Sequence, residues 1–182
     1  MRKSREETAR TRRRIVEAAS SAFRKNGIVA TGLNDLMKAA GLTHGGFYKH
    51  FASKDQLVAE ATSAALDDLL EEMAAHPSIN AAVAAYLSTR HRDTPASGCP
   101  LAALGSELSR SDRKAREAAT AGFVRLVDTL AGKTGTADAR RNALVAAATM
   151  IGAVTISRMV TDSTLSEEIL RVAEKSLAAK RS

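Results

Sequence analysis

Side chains that can bind phosphate oxygens are concentrated between residues 43 and 54. This segment reads Thr-His-Gly-Gly-Phe-Tyr-Lys-His-Phe-Ala-Ser-Lys. Hydroxyl, imidazole, phenol and ammonium groups all donate hydrogen bonds to phosphate, and glycines let a backbone approach a ligand closely. Such contacts, together with contacts to base edges, are the chemistry of nucleic-acid binding. The candidate residues for this chemistry are Thr43, His44, Gly45, Gly46, Tyr48, Lys49, His50 and Lys54.

Two predicted helices would position these side chains. Thr31 is expected to cap the first helix and Gly41 to end it, because glycine adopts a positive φ without steric cost. Thr43 is expected to cap the second helix, where Phe47 and Phe51 share one face at i and i+4. Two short helices about a glycine-containing turn form a helix-turn-helix, whose second helix can enter a DNA major groove. The first helix is expected to bury Leu33, Leu36, Met37 and Ala40.

Three runs of residues resemble a known family in their order and spacing. They are residues 39–43 (Ala-Ala-Gly-Leu-Thr), 47–51 (Phe-Tyr-Lys-His-Phe) and 53–57 (Ser-Lys-Asp-Gln-Leu), and the upstream residues 14–19 and 22–27 agree with them. Over roughly residues 10–60 the chain resembles the DNA-binding domain of the TetR/AcrR family of bacterial transcriptional regulators. The resemblance implies a helix-turn-helix domain at residues 1–52 and an effector-binding and dimerisation domain at residues 53–182.

The docking geometry of a helix-turn-helix assigns a role to the first turn of the second helix. Its residues, Thr43 to Gly46, would face base edges. Gly46 departs from the family pattern, which frequently has a small hydroxyl residue at this position. Direct base readout by the first turn of this helix would therefore be weaker than usual. Lys38 or Lys49 would then contribute to the readout.

Three further positions match family residues that contact the DNA backbone: Tyr48, His50 and Lys54. Their chemistry agrees, because a phenol, an imidazole and an ammonium group all donate to phosphates. Each has a second interpretation, with Tyr48 in the core, His50 packed against Phe51, and Lys54 as solvated surface. The amino-terminal arginines have two equally good interpretations: contacts to phosphates or a minor groove, and plain solvation. These residues are Arg10, Arg12, Arg13 and Arg14.

Positive charge is concentrated at the same end of the chain. Residues 1–60 hold twelve Lys or Arg against six Asp or Glu, whereas residues 61–182 hold fifteen against fourteen. A basic end joined to a nearly neutral body is the electrostatic pattern of a protein that binds a polyanion. Phosphate neutralisation would dominate the affinity, so we expect binding to weaken steeply with salt. The predicted partner is double-stranded DNA.

The composition predicts an all-α fold, since the chain has few aromatic residues and only three prolines and is otherwise rich in Ala and Leu. An N-terminal three-helix DNA-binding domain would precede a C-terminal helical bundle for regulation and dimerisation. The fourth helix, capped by Ser53 and Gln56, could carry a signal between them. The predicted helices outside the helix-turn-helix cover residues 10–26, 53–76, 78–91, 100–109, 112–131, 137–160 and 165–180.

The last two predicted helices indicate a subunit interface. From Ala143 to Ile156 the first is apolar almost all the way round, so it must be buried on most of its surface. In the family, the last two long helices pair with their symmetry mates, which implies a homodimer and a pseudo-palindromic operator. A central core helix in a monomer is the alternative. The predicted interface residues are Leu144, Ala148, Ile151, Thr155, Ile169 and Val172.

The single cysteine, Cys99, precedes a helix that Pro100 opens. A thiol at a helix N-terminus can have a lowered pKa, and Arg90, His91 and Arg92 would strengthen the effect. A Gly-Cys at this place resembles a branch of the family that includes electrophile and oxidant sensors. Cys99 is therefore a candidate redox sensor, and a small buried residue that fills a turn is the alternative.

The sequence predicts no enzyme, metal site, cofactor or membrane partner. The histidines lack metal-ligand spacing, and the chain has no Gly-rich phosphate loop, nucleophile elbow or His-centred triad. Stretches without a charged residue, such as residues 142–157, are shorter than the roughly 20 apolar residues of a membrane span. One cysteine and no signal-peptide pattern indicate a cytoplasmic protein.

Together these features predict a sequence-specific DNA-binding transcriptional regulator, a repressor released by a small-molecule or thiol-reactive effector. The effector pocket is implied by the resemblance alone. Its candidate lining residues, which are equally consistent with ordinary core, are Met73, Tyr86, Phe123 and Met150. Two alternatives stay open: a helical ligand-binding protein or enzyme with an incidental basic end, and a non-specific DNA-architectural protein.

Overall fold

Helices account for the regular secondary structure of the described residues. The structure is a computed structural model that describes residues 5–132 and 137–179. The all-α prediction is confirmed within this part of the chain. The α-helices are α1 (Arg5–Asn26), α2 (Leu33–Ala39), α3 (Lys54–Ala74), α4 (Ile79–Tyr86), α5 (Thr89–Asp93), α6 (Pro100–Leu108), α7 (Arg113–Ala131), α8 (Ala137–Met159) and α9 (Ser163–Ala179). Two short 3-10 helices lie at His44–Lys49, here called the recognition segment, and at Pro95–Ser97.

The amino-terminal helices pack around a small core that contains three phenylalanines. Phe23 of α1 and the following Phe47 and Phe51 are almost completely buried. The rings of Phe47 and Phe51 stack with their centroids 5.6 Å apart. Burial of each ring removes apolar surface from water and stabilises the fold by about 1.5–3 kcal/mol. The same core holds Ile15, Ala19, Leu36, Met37 and Ala40.

Helix α3 connects this amino-terminal core to the carboxyl-terminal core. Its first turns contribute Leu57, Val58 and Ala61 to the amino-terminal core, and its later turns contribute Leu66 and Met73 to the other. A tilt of this continuous helix would therefore move both cores. Helix α6 also contributes residues to both. The domain boundary after residue 52 stays a prediction, and the first turns of α3 pack on the amino-terminal side of it.

The predicted cap of α2 is wrong. Gly32 occupies the N-cap position, and the Thr31 hydroxyl instead donates to the carbonyl oxygen of Gly27 at 2.6 Å. Thr31 is buried, so its hydroxyl needs a partner inside the protein. The chain at the end of α1 supplies that partner, because the helix itself does not use the carbonyl groups at its C-terminus as hydrogen-bond acceptors.

The cap of the recognition segment is also wrong, whereas that of α3 is confirmed. Thr43 makes no side-chain cap bond, because the backbone N–H of Gly46 already donates to the Thr43 carbonyl at 3.0 Å. At α3, the Ser53 hydroxyl accepts from the N–H of Gln56 at 3.1 Å. The Gln56 side chain accepts in return from Ala52, one residue before the position expected in a capping box.

The single helix predicted at residues 78–91 is divided into α4 and α5. Leu87 ends α4, and the Ser88 hydroxyl accepts from the N–H of His91 at 3.2 Å to cap α5. The same hydroxyl donates to the carbonyl of Ala85 at 2.7 Å. One serine therefore bonds the last turn of α4 and caps α5, and the chain turns here at the edge of a cavity described below.

Helix α8 is long and apolar enough to cross a bilayer by length and composition, and it is the one described helix that passes this test. One of its faces packs into the carboxyl-terminal core through Ala143, Ala147, Met150 and Val154. Core helices of water-soluble proteins pass the same test, and this packing accounts for much of the apolar composition of α8.

Candidate nucleic-acid interface

A tight turn joins α2 to the recognition segment. Gly41 has a φ of +69°. Its N–H donates to the Lys38 carbonyl at 2.9 Å, and the N–H of Leu42 donates to the Met37 carbonyl at 2.8 Å. This pair of bonds is a Schellman motif, which requires a left-handed residue at the position of Gly41. The prediction that Gly41 ends the helix is confirmed.

The recognition segment presents one aromatic ring to the core and the next one to solvent. Phe47 is fully buried, whereas Tyr48 is 66% exposed. The two rings meet edge to face with their centroids 5.1 Å apart. The core interpretation of Tyr48 is therefore wrong, and its phenol is available to an external phosphate.

The first turn of this segment is open. Thr43 and Gly45 are exposed, and a Cβ built at Gly45 would meet nothing within 4 Å. A Cβ at Gly46 would make only an ordinary contact, at 3.6 Å, with Cε of Met37. Packing does not require glycine at either position, so what the two residues provide is a bare backbone that a ligand can approach closely. The side chain of His44 lies outside the described part of the structure.

Lys54 has a structural role that the sequence did not reveal. Its Nζ atom donates to the carbonyl oxygens of Ile28 at 2.6 Å and Thr31 at 2.7 Å. The same atom lies 5.9 Å from the centroid of the Phe23 ring. The plain-surface interpretation of Lys54 is therefore wrong, because its ammonium group joins the start of α3 to the turn between α1 and α2. Its predicted phosphate contact stays a prediction.

Arg12 binds within the protein instead of facing outward. Its guanidinium pairs with the carboxylate of Glu60 on α3 and lies 4.5 Å from the centroid of the Phe51 ring. Its Nε also donates to the carbonyl of His50 at 3.4 Å. These contacts hold α1 against α3. The His50 side chain is half-buried, and its phosphate contact stays a prediction.

Arg14 also binds the domain itself, because its guanidinium donates to the Ala40 carbonyl at 2.6 Å. Two of the four amino-terminal arginines, Arg12 and Arg14, therefore position helices around the turn. Exposed cations in the described part of this domain include Arg10, Arg13, Lys25, Lys38 and Lys49.

Comparison with known proteins finds the same domain elsewhere. The family model described as "Bacterial regulatory proteins, tetR family" matches residues 15–61. The HTH-type transcriptional regulator TtgR of Pseudomonas putida is 44% identical over 71 residues, which cover 39% of this chain and 32% of that protein. The probable acrEF/envCD operon repressor of Escherichia coli (strain K12) is 41% identical over 54 residues, which cover 30% of this chain and 24% of that protein. The matched part thus spans a third or less of these curated relatives.

Solved structures match nearly the whole chain. A TetR-family transcriptional regulator from Cytophaga hutchinsonii superposes with a TM-score of 0.75 at 23% identity and covers 98% of both chains. A TetR transcriptional regulator from Chloroflexus aurantiacus J-10-FL gives a TM-score of 0.73 at 27% identity, over 95% of this chain and 96% of that one. Residues 15–61 of the chain are therefore a TetR-family domain. The reduced form of E. coli NemR shares the fold as well, with a TM-score of 0.72 at 21% identity over 92% and 95% of the chains.

The chain has a cavity of about 280 Å³ between α3, α4 and residues 88–98. The hydroxyl groups of Ser88 and Thr94 in its wall are already bonded, since each donates to a nearby backbone carbonyl at 2.7 Å. A small ligand would meet mainly apolar surface. Of the four candidate lining residues, Met73 and Tyr86 line this cavity, and Phe123 and Met150 do not. Other lining residues are Leu69, Glu72, His76, Ala82, Ala85, Arg90, His91 and Gly98.

The environment of Cys99 contradicts the expected lowering of its pKa. The residue is fully buried, and this burial raises the pKa of the thiol. The Tyr86 hydroxyl, the backbone N–H groups of Ala102 and Leu101, and the charge of Arg158 lower the pKa, but by less. The helix N-terminus thus acts in the expected direction and desolvation outweighs it. The alternative, a small buried residue in a turn, describes this site.

An apolar groove lies between α8 and α9 on the outside of the TetR-family fold. Met159 is 72% exposed and Val172 is 51% exposed, although both are large apolar residues. Among the predicted interface residues, Leu144, Ala148 and Val172 are exposed, and Ile151 and Ile169 are half-buried against the core. The Thr155 hydroxyl donates to the Ala102 carbonyl of α6 at 3.1 Å. The groove is lined by Ala148, Thr149, Gly152, Ala153, Ile156, Leu165, Glu168, Ile169, Val172, Ala173 and Ser176.

Sequence reasoning missed two side chains that join the amino-terminal domain to α6 and to the loop before it. Arg24 is buried, and its guanidinium donates to the Gly98 carbonyl at 2.7 Å. The Glu107 carboxylate accepts from the N–H groups of Ile28 at 3.1 Å and Val29 at 3.0 Å. The one available signal was the position of Arg24 beside Phe23 on the buried face of α1. In the described residues, no three His, Cys, Asp or Glu side chains are arranged to hold a metal ion.

Proposed function

We propose that this TetR-family protein is a sequence-specific DNA-binding transcriptional regulator, a repressor that leaves its operator when a small molecule binds. The recognition segment carries the proposal. Phe47 fixes the segment in the core, while Tyr48 and the open backbone at Gly45 and Gly46 face outward. A rigid, exposed set of donors with room for close approach is what binding to phosphates and a major groove requires.

The occupant proposed for the groove between α8 and α9 is a second copy of the chain. Exposed Ile156, Leu165 and Val172 would be covered by the equivalent helices of the partner. A two-fold dimer presents two recognition segments, so its operator would be a pseudo-palindrome with half-sites about 34–36 Å apart, or a multiple of that distance. The solved relatives share the fold that would support this arrangement.

The cavity between α3, α4 and residues 88–98 is the proposed effector site. Its size suits a small, largely apolar molecule, and α3 runs directly from its wall to the amino-terminal core. The burial of Cys99 favours such a molecule over a thiol-reactive effector. One curated relative is named as a probable operon repressor, which supports repression, and regulation of transcription would place the protein in the cytoplasm.

A selection from genomic DNA fragments tests the proposal. The purified full chain is mixed with the library at about 150 mM salt, near physiological ionic strength, and the retained fragments are sequenced. Tyr48→Ala serves as the matched variant, because the exposed side chain can be removed without opening the core. Enrichment of one pseudo-palindromic motif by the natural chain, weakened in the variant, supports the proposal.

Two other results contradict it. Retention of fragments without a shared motif indicates a non-specific architectural protein. Absence of retention, with binding of small molecules to the cavity, indicates a ligand-binding protein or enzyme whose basic end is incidental.

A further inference from the structure

One histidine ring in the wall of the cavity is fixed by hydrogen bonds at both of its nitrogens. The Nδ1 atom of His91 lies 2.6 Å from the Tyr86 carbonyl oxygen, and its Nε2 atom lies 2.9 Å from the backbone nitrogen of Cys99. A carbonyl can only accept and a backbone N–H can only donate. The ring is therefore neutral, donates from Nδ1 and accepts at Nε2, and both of its nitrogens are committed.

The next residue along this wall, Gly98, has no room for a side chain. A Cβ at Gly98 would lie 2.5 Å from both Cδ2 and Nε2 of the His91 ring. Gly98 lines the cavity together with His91. Any displacement of the ring toward Gly98 must therefore move the backbone, because the contact leaves no free space.

A buried arginine of α1 holds Gly98 from the other side. One Nη of Arg24 donates to the Gly98 carbonyl at 2.7 Å, while its Nε and other Nη bind the Ser20 carbonyl and hydroxyl, each at 3.0 Å. Because Arg24 is buried, loss of the Gly98 contact would leave a charged donor without water to replace it. The position of Gly98 and the position of α1 are thus linked.

We propose that His91, Gly98 and Arg24 form a latch through which the cavity controls the orientation of the helix-turn-helix domain. A molecule that displaces the His91 ring shifts Gly98 and loosens Arg24, which gives α1 and the recognition segment new freedom relative to the body. A dimer that must fit two half-sites loses affinity when its two recognition segments are less well ordered. The latch rests on the proposed function, whose regulation it specifies.

Gly98→Ala forces residue 98 and the His91 ring apart without any effector, since a Cβ 2.5 Å from the ring can be accommodated only if the ring or the backbone of residue 98 moves. Gly105→Ala is the matched control, because a Cβ at Gly105 in the neighbouring α6 would meet nothing within 4 Å. His91→Phe is a second variant that keeps an aromatic ring against Tyr86 but has no acceptor for the Cys99 N–H. Affinity is measured by fluorescence anisotropy for the operator recovered in the fragment selection.

Gly98→Ala and His91→Phe are expected to weaken operator binding roughly tenfold, and Gly105→Ala to leave it unchanged. Coupling through Arg24 predicts that Gly98→Ala causes no further loss in an Arg24→Met background. Additive losses in the double variant would overturn the latch. Equal affinities of the Gly98→Ala, Gly105→Ala and natural proteins would overturn it as well.

Proton exchange of the Arg24 guanidinium, followed by NMR, gives a readout that needs no DNA. Exchange at Nε and Nη is expected to be slow in the natural chain and in Gly105→Ala, and clearly faster in Gly98→Ala. Unchanged exchange in a folded Gly98→Ala protein would refute the link from His91 to Arg24. If the natural chain selects no DNA site, the proposed function fails, while the exchange measurement still decides whether this link exists.

Discussion

The ammonium group of Lys54 is bonded to the carbonyl oxygen of Thr31 at 2.7 Å, and it also reaches the carbonyl of Ile28 at 2.6 Å. Both carbonyls belong to the turn between α1 and α2, whereas Lys54 is the first residue of α3. An ammonium group has three donors, so one is left for an external phosphate. The same side chain can thus position the helix-turn-helix and bind DNA.

Lys54→Met should therefore lower the free energy of unfolding by about 2 kcal/mol, because two charge-assisted hydrogen bonds are lost while the apolar stem is kept. Urea unfolding of the full chain measures this. Lys49→Met is the control: Lys49 is exposed, and its removal should leave stability unchanged while DNA affinity falls and its salt dependence becomes weaker. Equal stability of Lys54→Met and the natural chain would show that the two bonds contribute nothing.

The turn between α2 and the recognition segment was predictable because its determinants are local. Gly41 is the left-handed residue that ends α2. The i, i+4 spacing of Phe47 and Phe51 indicates which side of the recognition segment is buried. Each feature depends on residues a few positions apart. The all-α fold was predictable for the same reason, since helical periodicity and breaks by glycine and proline are read within short windows.

The contacts that position the candidate site were not predictable, because they join residues far apart in the chain. Lys54 binds carbonyls 23 and 26 positions away, and the bond from Arg24 to Gly98 spans 74 positions. Cys99 shows the consequence for chemistry. Its place before α6 correctly indicated N–H groups that lower a thiol pKa, but the burial that raises the pKa comes from tertiary packing.

Cys99 should react slowly with thiol reagents in the folded protein. Burial raises the pKa of the thiol, so less thiolate is present near neutral pH than for an exposed cysteine, and the sulfur is also out of reach of solvent. The rate of reaction with a disulfide reagent such as DTNB measures this directly. We expect the rate in the native chain to be at least about a hundredfold below that in urea, because reaction requires opening of the fold. A fast native reaction that also releases DNA would restore the redox-sensor interpretation.

Acid should destabilise the fold through His91. Burial lowers the pKa of His91 below its ordinary value of 6.5; the Tyr86 carbonyl and Glu72 oppose this shift, whereas Arg158 and Arg24 add to it. The unfolded chain therefore binds this proton more readily than the folded chain. The contribution to stability is complete above about pH 6.5 and is lost as the pH falls from there toward the lower pKa of the folded state.

Urea unfolding as a function of pH tests this expectation. His91→Gln keeps an acceptor for the Cys99 N–H and does not titrate, so its stability should fall less between about pH 7 and pH 5 than that of the natural chain. Parallel profiles for His91→Gln and the natural chain would mean that His91 does not contribute to the acid sensitivity.

A charge placed in the groove between α8 and α9 should prevent dimerisation. Val172 is 51% exposed in the single chain and lies along the groove, so a second copy would bury it. Val172→Glu would place a carboxylate in an apolar contact, where it has no partner and its burial costs several kcal/mol. Val124→Glu is the control, because Val124 is 39% exposed on α7 and does not line the groove.

Sedimentation of the three proteins decides between a dimer and a monomer. We expect the natural chain and Val124→Glu to sediment as dimers and Val172→Glu as a monomer. A monomeric natural chain, or an unchanged mass for Val172→Glu, would contradict the proposed interface.

DNA binding gives a second measurement of the same interface. Once one half-site is bound by a dimer, the second binds as an intramolecular event, and a monomer loses this advantage. Val172→Glu should therefore bind the full operator no better than an isolated half-site, whereas Val124→Glu should keep the preference for two.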